Sequence, residues 1–221
     1  MIEDFAKLIP KALLNRSGSV FYSGRRAFDS PSKLYILGVN PGGDPERQAD
    51  ETVSWHTNKV LHVEPENWSA YRDESWEGSS PGTRGMQPRV LHLLRYLKID
   101  AGEVPASNIV FLRSGREARL EGNLQQLARE CWPFHQSVIN KLGTRVILCF
   151  GQSAGNWVCN RLNARTQVGE FVENNNRRWR SRAYRNADGF MVVVATHPSI
   201  ADWTAPATDP TELVRTALDE Q

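Results

Sequence analysis

Leu34 to Gly43 reads LYILGVNPGG, and the fold follows from it. Leu34, Tyr35, Ile36, Leu37 and Val39 form a short β-prone run with no polar alternation. That is the pattern of a parallel strand covered on both faces. Pro41 fixes its own φ and pushes Asn40 towards an extended conformation. Gly42 and Gly43 then allow positive φ and close backbone approach. Asn40 is expected at the carboxyl end of the strand, where open α/β sheets bind their ligands. The plainer reading is a Pro-Gly turn that ends a strand and does nothing more.

Three further runs match the first. Asn108–Leu112 (NIVFL), Arg145–Phe150 (RVILCF) and Phe190–Ala195 (FMVVVA) are each short, apolar and closed by turn or polar residues. Helical spacing fills the intervals between strands. Val90, Leu91, Leu94 and Leu97 share one face over 87–97, and Leu124, Leu127, Cys131, Phe134, Val138 and Leu142 share a stripe over 119–142. Further helices are expected over 2–15, with a kink at Pro10, over 153–162 and over 210–220. Residues 167–187 look like a β-hairpin turning at Asn174, Asn175 and Asn176. The pattern predicts an α/β three-layer sandwich around a central four-stranded parallel sheet, in one domain over 1–221. Residues 44–85 lack periodicity yet carry Trp55, Trp68, Tyr71 and Trp76. They read as an ordered flap with one or two short helices, because four large aromatics argue against disorder.

Composition narrows the class without naming a partner. The 221 residues are 40% hydrophobic and 24% charged, with a net charge of +2, so only local clustering of charge is informative. Three cysteines without a Cys-x-x-Cys pair argue against a disulfide framework or an all-cysteine metal site and fit a reducing, cytoplasmic setting. The amino terminus is too polar for a signal peptide, and no apolar run is long enough to span a bilayer. His56, His62, His92 and His135 lack metal-ligand spacing. No metal, cofactor or membrane is therefore expected.

Three predicted strand ends carry polar groups suited to chemistry: Asn40, Asn108 and His197. Two amides and an imidazole around one crevice could bind a flat heterocycle by its edge, and neutral imidazole can donate to a developing oxyanion. No member is a strong base or nucleophile. That suits scission of a glycosidic bond through an oxocarbenium-like state, where the leaving group departs largely unaided. The stretch NNNRRWRSRAYRN concentrates five arginines around Trp179 and Tyr184. Strand alternation would place Arg178, Arg180, Arg182 and Tyr184 on one face, suited to phosphate contact. The alternative is a solvated basic edge strand.

The set LGVNPGG, NIVFLRS, ARECWPF, RVILCFGQSA and ATHPS, in this order and spacing, resembles the uracil-DNA glycosylase superfamily over roughly residues 34 to 200. The Gly-x-Asn-Pro-Gly form at Gly38–Gly42 is similar to the first motif of the single-strand-selective and mismatch-specific branches. The stretch from Asn108 to the FGQSA segment looks more like the iron–sulfur-bearing branch. The resemblance implies a monofunctional DNA glycosylase on a uracil-DNA glycosylase-like fold, acting on a flipped uracil or other modified base, as a monomer and with DNA as partner. It assigns water positioning to Asn40, stabilisation of the base anion to His197, and base binding to Val39, Gly42, Gly43 and Asn108. Ser199 would hold the strand's phosphate, and Ile200 or Trp203 would wedge into the gap left by the flipped base, although either reads equally well as core. Only Cys131 matches a ligand of the iron–sulfur branch, and Leu112 stands where another would be, so no cluster is expected. A catalytically silent nucleic-acid-binding module and an unrelated α/β nucleotide-binding hydrolase are the rival readings.

Overall fold

A computed structural model describes residues 1–116, 120 and 123–221. Six strands form one mixed sheet: β1 (Leu34–Gly38), β2 (Ala106–Asn108), β3 (Val146–Phe150), β4 (Thr166–Val172), β5 (Arg180–Arg185) and β6 (Met191–Ala195), in the order β2-β1-β3-β6-β5-β4. The first four in that order are parallel, and the remaining two pairings, β6 with β5 and β5 with β4, are antiparallel. The expected sheet of four parallel strands is thus the larger part of a six-stranded one. The correction has a simple cause: β6 would otherwise present an unpaired edge, and β5 of the basic hairpin pairs along it from Arg182↔Val194 to Arg185↔Met191.

Alternation along the strands divides the interior in two. Tyr35, Leu37, Ile147, Cys149, Val192 and Val194 face a layer made by helices α1 (Ile2–Ala6), α2 (Arg25–Asp29), α3 (Val53–His62), α6 (Leu124–Leu142) and α7 (Gln152–Leu162). Leu34, Ile36, Val146, Leu148, Val193 and Ala195 face the opposite layer, with Tyr71 of α4 (Ala70–Asp73), α5 (Gln87–Tyr96) and α8 (Thr211–Asp219). Burial on both faces is why these strands are unbroken apolar runs.

Several sequence expectations move. The first helix stops at Ala6, and a separate 3-10 turn spans Lys11–Leu13, because Pro10 cannot continue a helix. Asn108 closes β2 instead of opening it. The apolar residues after it leave the sheet: Ile109 and Val110 donate to the carbonyls of Gly38 and Val39, and Ile109 to Leu112 all bury themselves in the first helical layer. An apolar run without alternation does not reveal that the strand has already ended. Helix α6 begins at Leu124, where Asn123 caps it by accepting from the Gln125 N–H at 2.8 Å. The earlier start expected at Arg119 falls outside the described residues. Residues 44–85 contain α3 and α4; Val53 and Val60 of α3, Tyr71 of α4 and Trp68 between the two helices are buried.

Candidate functional site

The carboxyl ends of β2, β1, β3 and β6 lie in one row and carry Asn108, Asn40, Gly151 and His197. Register puts Gly38 opposite Asn108, Leu37 opposite Cys149 and Phe150 opposite Ala195. Asn40 and His197 therefore each stand two residues past the same rung, with β3 between them. Two strand spacings separate them, about 10 Å.

Asn40 is locked by its amide nitrogen. Nδ2 donates to the carbonyls of Pro41 at 2.8 Å and Ser114 at 2.9 Å. Carbonyls only accept, so the nitrogen must face them, and Oδ1 faces away with no partner among the described residues. The segment after β2 clamps the same turn. Ser114 N–H donates to Pro41 O, while Arg113, one-tenth exposed, donates to Gly42 O at 2.9 Å and pairs with Glu51 at 2.8 Å. Gly43 has φ +106, and a Cβ there would strike Gln48. Gly42 and Gly43 themselves are exposed.

Asn108 is buried beneath this turn. Its Oδ1 occupies the space a Cβ on Gly38 would need, at 2.2 Å. Tyr22 begins a run of rings: Tyr71 at 5.9 Å, then Phe150 at 6.4 Å from Tyr71, then His197 at 6.0 Å from Phe150. Trp76 joins the run through Tyr71 and donates its Nε1–H to Glu74 at 2.8 Å. Burial raises the Glu74 carboxyl above the usual carboxylate range.

His197 has a determined tautomer. Its Nδ1 accepts from the Ser199 backbone N–H at 3.1 Å and from the Ser199 hydroxyl at 2.8 Å. A backbone N–H cannot accept, so Nδ1 carries the lone pair and Nε2 carries the proton. Burial lowers the pKa from its ordinary value, which keeps the ring neutral near pH 7. The edge of Phe150 and the backbone of Gly151 hold the ring. Gly151 has φ 85 and ψ 169, a region open essentially to glycine, and a Cβ there would touch the imidazole at 3.5 Å. Arg89 of α5 secures the loop by donating to Pro198 O and pairing with Asp202 at 3.6 Å.

A cleft of about 550 Å³ opens beside this row. Val39, Phe150, Gly151, Thr196, His197 and Ile200 form its sheet side, and Arg178, Trp179, Arg180 and Arg182 its hairpin side. The structure thus brings Val39, His197, Ile200 and the three expected arginines into one cleft. Asn40, Gly42, Gly43 and Asn108 lie past its β1 wall and are not among the lining residues.

Three assignments change. Trp203 is fully buried, edge-on to Phe150 at 5.5 Å, with Nε1–H on Thr196 O at 3.0 Å; it is core, and Ile200, 55% exposed, is the apolar side chain left at the surface. Arg178 does not share the strand face of Arg180 and Arg182, because it sits in the turn at φ +53. Arg180 and Arg182 are held by Glu170 at 2.5 and 2.9 Å, whereas the Arg178 side chain has no partner among the described residues. Ser199 spends both its N–H and its hydroxyl on His197. Sequence reading missed the clamping role of Arg113, Ser114 and Arg89 and the hairpin carboxylate Glu170; Arg113 and Ser114 stand in the NIVFLRS stretch, but nothing local in it points to the turn at Gly42.

No protein-family model matches the chain, and no curated protein matches it. Among the described residues no group of three or more histidine, cysteine or acidic side chains could hold a metal ion, and no helix is long and apolar enough to cross a membrane. Cys131 is packed in the first helical layer, and burial pushes its thiol up to about 12.

Proposed function

We propose that the protein is a monofunctional DNA glycosylase of the uracil-DNA glycosylase type, with the four parallel strands as that fold's central sheet. The observation that carries the reading is His197: a neutral imidazole, its proton on Nε2, held by Phe150, Gly151 and Ser199 at the wall of the cleft. Such a group cannot act as a strong base. It is suited to donate a hydrogen bond to an oxygen that gains negative charge.

In this reading the target nucleotide is extruded from the strand, at a cost of a few kcal/mol. The bond between the base nitrogen and C1′ breaks with its electron pair staying on the base. His197 Nε2–H stabilises the resulting anion through its carbonyl oxygen. A water, hydrogen-bonded to the free Oδ1 of Asn40, adds to C1′ and releases its proton to solvent. Val39 packs against the base, Ile200 enters the gap it leaves, and the hairpin arginines contact the backbone, while Asn108 and the turn at Gly42 and Gly43 stand behind the β1 wall of the cleft and support the strand end that carries Asn40. No lysine stands at the carboxyl ends of the parallel strands, so no Schiff-base lyase step follows.

The test is a single-turnover base-excision assay on single- and double-stranded oligonucleotides, each carrying one uracil, hypoxanthine, xanthine or modified pyrimidine. An oxyanion donor contributes about 3 kcal/mol, so His197→Ala is expected to slow base release by roughly a hundredfold or more. Asn40→Ala should slow it as well. Unchanged rates in His197→Ala would remove the assignment. DNA binding without abasic product on any substrate would favour a silent binding module, and turnover of free nucleosides with indifference to DNA would favour a nucleotide hydrolase.

A further inference from the structure

Trp179 and Ile200 are the two large hydrophobic side chains that both line the cleft and stand well exposed, at 39% and 55%. An exposed indole is ordinary on a loose loop, but this one is held. The Glu173 N–H donates to Trp179 O at 2.8 Å and fixes its backbone. The Arg177 guanidinium lies over the ring, 4.1 Å from its centroid. Arg177 is itself fixed at both ends: Nη1 donates to Ile200 O at 2.8 Å, and Nη2 pairs with Glu173 at 3.2 Å. The Glu173 side chain is only 1% exposed and also accepts from Asn175 Nδ2 at 2.8 Å. Asn175 Oδ1 in turn accepts from the N–H groups of Arg177 and Arg178, which closes the turn.

One face of the indole is therefore covered by a pinned guanidinium, and the remainder looks into the cleft beside Ile200. Such a ring is a stacking platform whose ordering cost is met before anything binds. Arg178, next in sequence, has no side-chain partner among the described residues and is placed to meet a phosphate of the same nucleotide. A paired base inside a duplex has neighbours on both faces and offers no free face. An unpaired base does.

We propose that Trp179, backed by Arg177, is a stacking subsite for an unpaired nucleobase adjacent to the extruded nucleotide, so that the cleft selects single-stranded or locally unwound DNA. The proposal rests on the glycosylase reading for its choice of ligand. Arg177 and Glu173 are positioning residues: they hold the platform and tie it to the loop that carries His197.

The test measures equilibrium binding of the full chain to short oligothymidylate, to its duplex with oligodeoxyadenylate, and to oligothymidylate interrupted by abasic residues. Wild type is compared with Trp179→Ala and Trp179→Phe. Trp179→Ala should weaken single-strand binding by roughly five- to a hundredfold, the range one base–aromatic stack supplies. Duplex binding should change less than about twofold, and Trp179→Phe should retain most of the single-strand affinity. The abasic strand should bind wild type and Trp179→Ala alike, a result that a merely structural role for the ring would not produce. Equal losses on single strand and duplex would overturn the proposal, as would single-strand binding by Trp179→Ala at the wild-type level. Wild-type base release is scored on the same preparations. Release with no Trp179 effect leaves the glycosylase and removes the platform. A Trp179 effect without release keeps the platform and removes the glycosylase.

Discussion

The two halves of the sheet are built on opposite plans. Strands β1, β3 and β6 bury every residue, and neutral groups follow at their ends: Asn40, Gly151 and His197. The hairpin strand β4 leaves most of its length to solvent, and β5 carries arginines answered by carboxylates, Arg180 and Arg182 by Glu170 of β4 and Arg185 by Glu220. The groups at the parallel strand ends have their proton positions set by backbone donors and acceptors, which do not rearrange. The hairpin's charges are set by exposed ion pairs, which exchange partners at little cost. A site that must fix a reacting atom on one side and follow a flexible polyanion on the other gains from that division.

The division is tested first where the parallel half is densest. Phe150 ends β3, touches Tyr71, Trp203 and His197, and is 1% exposed. Phe150→Ala is expected to cost about 3–5 kcal/mol of stability, read as a lower urea midpoint with an unchanged slope. A loss under about 1 kcal/mol would mean that the His197 support is not part of the core.

Acid sensitivity should belong to the parallel half as well. Burial pushes His56 and His135 down to about 3, and both sit on helices beneath it. In the unfolded chain each binds a proton near pH 6.5, while the native state stays neutral until about pH 3. Their contribution is therefore complete above the unfolded value and declines as pH falls below it. Each should cost roughly 2 kcal/mol between pH 7 and pH 5. Urea titrations at the two pH values measure the loss, and His56→Leu should halve it. A pH-independent midpoint over this range would show that both imidazoles find protons in the native state.

The same contrast explains what could be read from sequence. Asn40 and His197 were legible because a strand buried on both faces is an unbroken apolar run, and a proline-bearing turn marks where it stops. The clamps were not legible. Arg113 reaches Gly42 and Arg89 reaches Pro198 across 71 and 109 residues, and an arginine in a helix or loop carries no local sign of such a partner. Asn108 was misplaced within its strand because the apolar run continues into the helical layer after the ladder ends. Trp203 and Ile200 looked interchangeable in the sequence, since a large apolar residue just past a strand end serves equally as wedge or core. Packing against Phe150 decides that Trp203 is core.

A smaller effect is expected at Gly151. Its φ of 85 and ψ of 169 suit glycine alone, so Gly151→Ala should cost about 1–3 kcal/mol. The backbone shift that relieves this strain would displace the imidazole, which lies at van der Waals distance from that Cβ position. Base release should therefore fall by more than DNA affinity does. Equal falls in both would place Gly151 in the binding surface and blur the line between the halves.

The smallest change in stability should come from the hairpin, and it carries the most information about binding. Glu170 holds Arg180 and Arg182 at side-chain exposures of 48% and 30%. Exposed pairs of this kind contribute under about 1 kcal/mol, so Glu170→Gln should leave the urea midpoint nearly unmoved. It removes the one carboxylate competing with phosphate for two guanidinium groups on the cleft wall. Single-strand affinity should rise. The slope of log affinity against log salt should steepen by about 0.7 for each arginine that turns to a phosphate. A steeper slope with unchanged stability would mean that Glu170 tunes the grip on DNA. An unchanged slope would mean that these arginines meet no phosphate, and the hairpin would be a solvated edge whose charges only keep it from pairing with another sheet.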